Sequence, residues 1–329
     1  MATTINQNKP LRLGMGTVQQ SAVAPARAAR LRFNGIYIFD DTLAELGTFV
    51  ADNWGYVTFP IGQYTYRQWQ ISLMAPAAIA GVTSARSPTL HYVNSAKIGD
   101  YIDSIVLEIN GKSKWELKAS ELYALNGYHN HDITEGVLRM VFGSPNLHNN
   151  DLVEDAYQFG TAGLRQVRLR VKTKATWVNG MKLKIGCEYA PVARPLGYFV
   201  TTSRYNVTNP GAGAFSVTDL ANGIDFSSIW VQGANILDAN LVIDRVAVFS
   251  GDYWQLRSLN ESWGKDQAAL GTGIMLDAFR DGDSIGFDSV TNSDQERKRG
   301  ADIRLDLTMG AANVDMTIVV FHCGLFAEQ

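Results

Sequence analysis

The sequence predicts an all-β chain built as two tandem eight-stranded β-sandwiches with short flanking helices. Three observations carry this. Apolar and polar residues alternate with period two through most of the 329 residues, as in strands with one buried face. Turn pairs of Gly with Asn, Asp or Ser punctuate those runs. One strand-like block also occurs twice in the same order: residues 102–111, followed by Trp115 and Leu117, are echoed by 243–251, followed by Trp254 and Leu256. Each copy closes on a strand pair ending in one of the two cysteines. The step from Val167 to Cys187 equals that from Ile303 to Cys323, 20 residues.

Residues 1–30 read as a basic arm. Met1 to Phe39 contain no Asp or Glu but carry Lys9, Arg12, Arg27, Arg30 and Arg32, and 21–30 are small and unpatterned. Such arms contact a neighbouring subunit or an anionic surface; a frayed terminus is the plainer alternative. The first sandwich spans 31–192, with strands at 31–39, 56–59, 66–74, 104–110, 166–172 and 181–189. Residues 118–126 predict a helix, with Ser120 in the cap region and Gly127 as its stop. Segments 75–99 and 128–163 read as long insertions, the kind of loop that carries partner contacts. Pro191, Pro195 and Gly197 interrupt pairing and mark a linker. The second sandwich spans 198–329, with strands at 198–207, 228–233, 241–249, 303–307 and 315–321 and a helix at 261–270. Turns are expected at Asn34-Gly35, Asn110-Gly111, Asn179-Gly180, Ser250-Gly251 and Asp281-Gly282.

Composition excludes several classes of function. At 46% hydrophobic and 19% charged, the chain has enough apolar surface for two cores. A net charge of −3 argues against a dedicated duplex-DNA binder, which needs a basic stripe. No apolar run is long enough to span a membrane as a helix. The polar start lacks the apolar stretch of a secretory signal. Cys187 and Cys323 make no disulfide framework. They read as buried thiols, which fits synthesis in a reducing cytoplasm.

Reactive chemistry is sparse. Gly211-Ala212-Gly213 and Gly271-Thr272-Gly273 lack the strand–loop–helix setting of a phosphate loop and read as turns. His129-Asn130-His131-Asp132, with distant His148, is the nearest thing to a metal constellation, but reads as an exposed polar loop. Asp277, Asp281, Asp283 and Asp288 surround a glycine turn, and hard carboxylate oxygens suit Ca²⁺. Their spacing is not that of an EF-hand, so the readings are a solvated turn or calcium at a subunit boundary. The seven tryptophans are spread evenly rather than gathered with acids, which disfavours a glycosidase cleft. Trp115 and Trp254 stand at matching places and read as packing residues. The run 297–299 is flanked by Asp294, Glu296 and Asp302 and reads as a solvated loop. No catalytic residue and no required cofactor emerge.

The strand, Asn-Gly turn, strand and helix of 102–126, ending Glu121-Leu122-Tyr123-Ala124-Leu125-Asn126, resemble a known family. With the echo at 241–264, the paired terminal strands and the basic arm, the chain resembles the double-jelly-roll major capsid proteins of tailless, icosahedral, membrane-containing bacteriophages, the corticovirus-like group. The resemblance covers roughly residues 30–329 and implies two jelly rolls per chain. It also implies homotrimers of nearly sixfold outline that tile a shell around an internal lipid membrane, within the virion. Implied partners are further copies, penton or minor capsid proteins and the inner membrane, with no sequence-specific nucleic acid. Arg12, Arg27 and Arg30 would then make the membrane or internal contact. The alternative is a receptor- or carbohydrate-binding β-sandwich, a spike or adhesin, which predicts an exposed aromatic platform. An enzyme on the same scaffold predicts converging His or carboxylate groups.

Overall fold

Alternation becomes sheet wherever the apolar residues can face an opposing layer. The structure, a computed structural model, describes residues 38–84, 89–130, 136–142, 158–218, 220, 226–243, 245–277, 290–293, 296–299 and 303–325. Its first half runs β1 (Ile38–Asp40), β2 (Glu45–Leu46), β3 (Trp54–Thr58), β4 (Thr65–Met74), β5 (Ile102–Ile109), β6 (Lys112–Lys118), α1 (Ala119–Tyr128), β7 (Leu138–Val141), β8 (Phe159–Gly160), β9 (Val167–Thr173) and β10 (Lys182–Ala190). The second half runs β11 (Tyr198–Thr208), β12 (Gly213–Val217), β13 (Phe226–Gln232), β14 (Ile236–Ile243), β15 (Val246–Asp252), α2 (Tyr253–Ser262), β16 (Ile274–Asp277), β17 (Val290–Ser293), β18 (Glu296–Arg299), β19 (Ile303–Met309) and β20 (Asp315–Leu325). Short 3₁₀ turns occupy Ser95–Asp100 and Gln267–Leu270.

The duplication is real at the level of strand order. In the first half the sheets are β1-β10-β4-β7 and β2-β3-β9-β5-β6; in the second they are β11-β20-β13-β16 and β12-β19-β14-β15. Leave out the two-residue strands β2 and β8 and the β17–β18 hairpin, and each half has eight strands. In both, one sheet takes the first, eighth, third and sixth strands, and the other the second, seventh, fourth and fifth. Each half is a jelly roll.

Burial follows the alternation. Val167, Leu169 and Val171 of β9 face one core, and Ile303, Leu305 and Leu307 of β19 face the other. Arg168, Arg170 and Lys172 occupy the intervening positions of β9 and are half-buried. Each fully buried Leu, Val or Ile contributes about 1.5–3 kcal/mol. The first core adds an aromatic cluster, in which Phe59 stacks on Trp69 at 3.7 Å between centroids and Phe142 meets Trp69 edge-on at 4.7 Å.

Residue-level matching fares worse than strand order. The first hairpin turns where expected, at Asn110 and Gly111, with φ of 53° and 79°. Its counterpart turns at Arg245, φ 69°, so the single strand expected at 241–249 is two strands. Ser250-Gly251 lies inside β15 rather than at a turn. An arginine in the left-handed region gives no sequence signal, because Gly and Asn are the residues that favour it. The equal 20-residue cysteine step is likewise coincidental: Cys187 is the sixth residue of β10, whereas Cys323 is the ninth of β20.

Helix boundaries also shift. Gly127 does not stop α1, which continues to Tyr128 because that ring is fully buried. Glycine's propensity cost of about 1 kcal/mol is smaller than the gain from burying a tyrosine. The cap comes from Glu121, whose carboxylate accepts from the Lys118 N–H at 2.8 Å, rather than from Ser120. The second helix is Tyr253–Ser262, not 261–270. Asp252 caps it by accepting from the N–H groups of Trp254 and Gln255, both at 2.9 Å. The segment 128–163, expected as an insertion, contains the core strand β7 and the short β8. The expected turns at Asn34-Gly35 and Asp281-Gly282 lie outside the described residues.

The linker after β10 lies against β8. The Ala162 N–H donates to the Arg194 carbonyl at 2.8 Å, and a Cβ on Gly160 would stand 2.4 Å from the Arg194 and Pro195 oxygens. Only glycine allows that approach.

Candidate functional site

With the two rolls placed, the most developed polar and apolar constellation is the joint between them. It begins at α1, which leaves the edge strand β6 and presents Glu121, Leu125 and Tyr128 to the second roll. Leu117, Leu125 and Tyr128 from the first roll pack with Trp230, Leu270, Met275, Val319 and Phe321 from the second, a third core distinct from those inside each roll. Arg204 of β11 grips Glu121 with both terminal nitrogens, Nη1 to Oε2 at 2.9 Å. The Gln232 amide of β13 adds a bond to Oε1 at 3.1 Å. Glu121 is 5% exposed, and burial by itself would raise its pKa. Arg204, the Lys118 N–H and Gln232 outweigh that and hold the carboxyl below its usual range.

Further bonds close the joint. The Glu116 N–H on edge strand β6 donates to the Thr202 hydroxyl at 2.7 Å, which satisfies an edge group that would otherwise pair with another strand. Tyr128 Oη donates to Asp277 at 2.9 Å, and the Asp266 N–H donates to the Tyr128 carbonyl at 3.0 Å. Lys265 Nζ lies 3.4 Å from His129 Nδ1. Burial pushes the Lys265 ammonium below its usual range, with the Asp277 charge opposing.

The predicted site residues fall as follows. Asp277 ends β16, buried and bonded to Tyr128 rather than standing in a solvated turn. Asp281, Asp283 and Asp288 lie outside the described residues, as do His131, Asp132, His148, Lys9, Arg12, Arg27, Arg30 and Arg32. Among the described residues, no three His, Cys, Asp or Glu side chains gather at metal-binding distance. His129 belongs to the joint. Cys187 is buried, and burial pushes its thiol up to about 12. His322 is buried too, and burial lowers its imidazole to about 4, with Ser203 3.0 Å from Nε2. Trp115 and Trp254 are not equivalent: Trp115 sits in β6, whereas Trp254 sits in α2 and is 73% exposed. Trp54 does not offer an open ring, because the Arg170 guanidinium covers it at 4.3 Å.

A second repeat lies outside the tryptophan alignment. Both helices have ten residues and both carry Leu-x-x-Leu-Asn, as Leu122 to Asn126 and as Leu256 to Asn260. The first leucine of each is buried against its own roll. The asparagine of each binds the neighbouring β7 or β16. Asn126 accepts from the Arg139 N–H at 2.7 Å and donates to its carbonyl at 2.8 Å, and Asn260 donates to the Met275 carbonyl at 2.7 Å. The three shared residues of this five-residue stretch are present in the sequence, but pairing Trp115 with Trp254 sets the helices out of phase and hides them.

Comparison with known proteins agrees with this architecture. Residues 88–187 match the model of the viral coat protein P2 N-terminal domain. The major capsid protein P2 of bacteriophage PM2 superposes with a TM-score of 0.68 at 18% identity, over 88% of this chain and 98% of that one. The fold is a double jelly roll. The STIV MCP follows at 0.57 and 13% identity, over 88% of this chain and 96% of that one. The Faustovirus major capsid protein gives 0.54 and 7%, over 88% and 90%. No curated protein matches the sequence at a significant level.

Proposed function

We propose that this chain is a major capsid protein, a structural coat subunit whose activity is its shape. The observation that carries the reading is the identical strand order of two rolls fixed to each other by a buried joint. The match of 88–187 to a viral coat domain supports it. Three such chains closing as a homotrimer supply six similar rolls, an outline that tiles a hexagonal lattice with only three polypeptides. Trimers of this kind would build an icosahedral shell around an internal membrane, with penton and minor proteins completing it.

The basic arm with Arg12, Arg27 and Arg30 would meet the anionic headgroups inside the shell, at about 1 kcal/mol per basic residue. Calcium at Asp277, Asp281 and Asp283 is an addition to this reading rather than a requirement. A calcium titration that leaves the melting temperature unchanged removes it. The main test is light scattering with negative-stain imaging of the purified protein. Trimers or hexagonal sheets are expected, and a monodisperse monomer at every concentration overturns the proposal. For the arm, removal of residues 1–30 should abolish binding to anionic liposomes; undiminished binding refutes that assignment.

A further inference from the structure

At the C-terminal end of α1, four ionisable side chains from the two rolls meet. Tyr128 and His129 come from the first roll, Lys265 and Asp277 from the second. Tyr128 Oη donates to Asp277 at 2.9 Å, and Lys265 Nζ stands 3.4 Å from His129 Nδ1 and 5.9 Å from the centre of the Tyr128 ring. Tyr128, Lys265 and Asp277 are buried, and His129 is half-buried. Two further bonds cross the joint beside them: the Asp266 N–H donates to the Tyr128 carbonyl at 3.0 Å, and the Asn130 amide donates to the Gly264 carbonyl. The second helix repeats none of this. Its positions three, seven and ten are Gln255, Leu259 and Ser262 where α1 has Glu121, Leu125 and Tyr128, and Trp263 follows it where His129 follows α1.

An ammonium has donors only, so Lys265 bonds His129 only while Nδ1 keeps its lone pair. A neutral imidazole protonated on Nε2 meets that need. An imidazolium carries a proton on both nitrogens and sets a second cation 3.4 Å from Lys265. Away from water, like charges at that spacing repel strongly. The negative end of the α1 dipole favours one cation there, and Lys265 already supplies it. The other ionisable groups facing the quartet come from α1, α2, the turn at 264–270 and β7. Glu121 holds Arg204, Arg257 binds the carbonyls of Gln267, Gly271 and Gly273, and Asp266 accepts from the Ala268 N–H. Glu261 is exposed at the end of α2, and Arg139 alternates on β7 with the core residues Leu138 and Met140.

We propose that His129 and Lys265 form a proton-operated latch across the joint, closed while the imidazole is neutral and released when it takes up a proton, so that the 264–271 segment lifts from α1 in acid. The closed joint holds one of the two cations, whereas the open joint holds both. Opening therefore takes up a proton, and its share rises as pH falls through the ordinary histidine range of about 6.5. Asp277 offsets one buried positive charge and is itself bonded to Tyr128, so it does not balance a second. The latch is a property of the folded chain and goes beyond the coat-protein reading.

Hydrogen–deuterium exchange of the full chain, read by mass spectrometry and corrected for the intrinsic pH dependence of exchange, tests this. Peptides covering 264–271 should exchange ~10-fold faster at about pH 5 than at about pH 7, as one linked proton allows. His129→Gln keeps an acceptor for Lys265 but removes the titrating group, and should hold these peptides at their neutral-pH protection. Lys265→Met removes the second cation and should abolish the same acid response by another route. His322→Gln, in the second core, should leave the response in place. A wild-type chain whose 264–271 peptides ignore pH overturns the latch, and so does a full acid response in either folded variant at 129 or 265.

Discussion

Glu121 shows how a single charge can decide the relation between two jelly rolls. Its carboxylate collects four donors, namely both Arg204 terminal nitrogens, the Lys118 N–H and the Gln232 amide, and so remains ionised where burial opposes ionisation. Replacing it with Ala strands the Arg204 guanidinium in the joint and should cost about 3–5 kcal/mol by chemical denaturation. Acid should weaken the protein through two groups. Because the Glu121 pKa is depressed in the fold, its contribution is complete above the ordinary carboxylate range and is lost as pH falls through the lowered value. His322 is held neutral to about 4 when folded, whereas an unfolded histidine titrates near 6.5, so the unfolded chain takes up the proton first. Stability should therefore decline from about pH 6.5 towards 4, measured as the denaturation midpoint against pH. His322→Gln should flatten the upper part of that slope.

At the scale of elements, the helices are set by their ends and by one asparagine each. Asp252 caps α2 through two backbone N–H groups, and Asp252→Ala should cost about 1 kcal/mol. Asn126 and Asn260 tie the helices to β7 and β16, bridging helix to sheet where no ladder bond reaches. Asn260→Ala leaves the buried Met275 carbonyl without that donor. A loss of about 1–3 kcal/mol is expected in urea denaturation, with no change in secondary structure by circular dichroism. Strands with strict alternation, such as β9 and β19, were legible because each needs only its own pattern. The helix at 253–262 was not, because the expected turn at Ser250-Gly251 obscured Asp252 as the cap.

At the scale of the molecule, the described residues from Ile38 onward form one compact unit although they contain two rolls. The third core explains this. A first roll made alone would expose Leu117, Leu125 and Tyr128 together with an unpaired Glu121, a contiguous sticky face. Expressed by itself, a 38–192 fragment should aggregate or bind a hydrophobic dye, whereas the full chain does not. A soluble, dye-silent fragment would show that the joint is dispensable to folding.

The sequence alone determined the all-β class, the presence of two sandwiches and most of the central strands. These depend on period-two alternation and local turn chemistry, which any short window contains. Tertiary structure decided which residues of the two halves correspond, where the chain turns at Arg245, and why Glu121, Leu125 and Tyr128 are buried while Gln255, Leu259 and Ser262 are not. Those outcomes depend on partners far along the chain, such as Arg204 against Glu121 and Asp277 against Tyr128. No local pattern records a contact whose two sides are brought together only by folding.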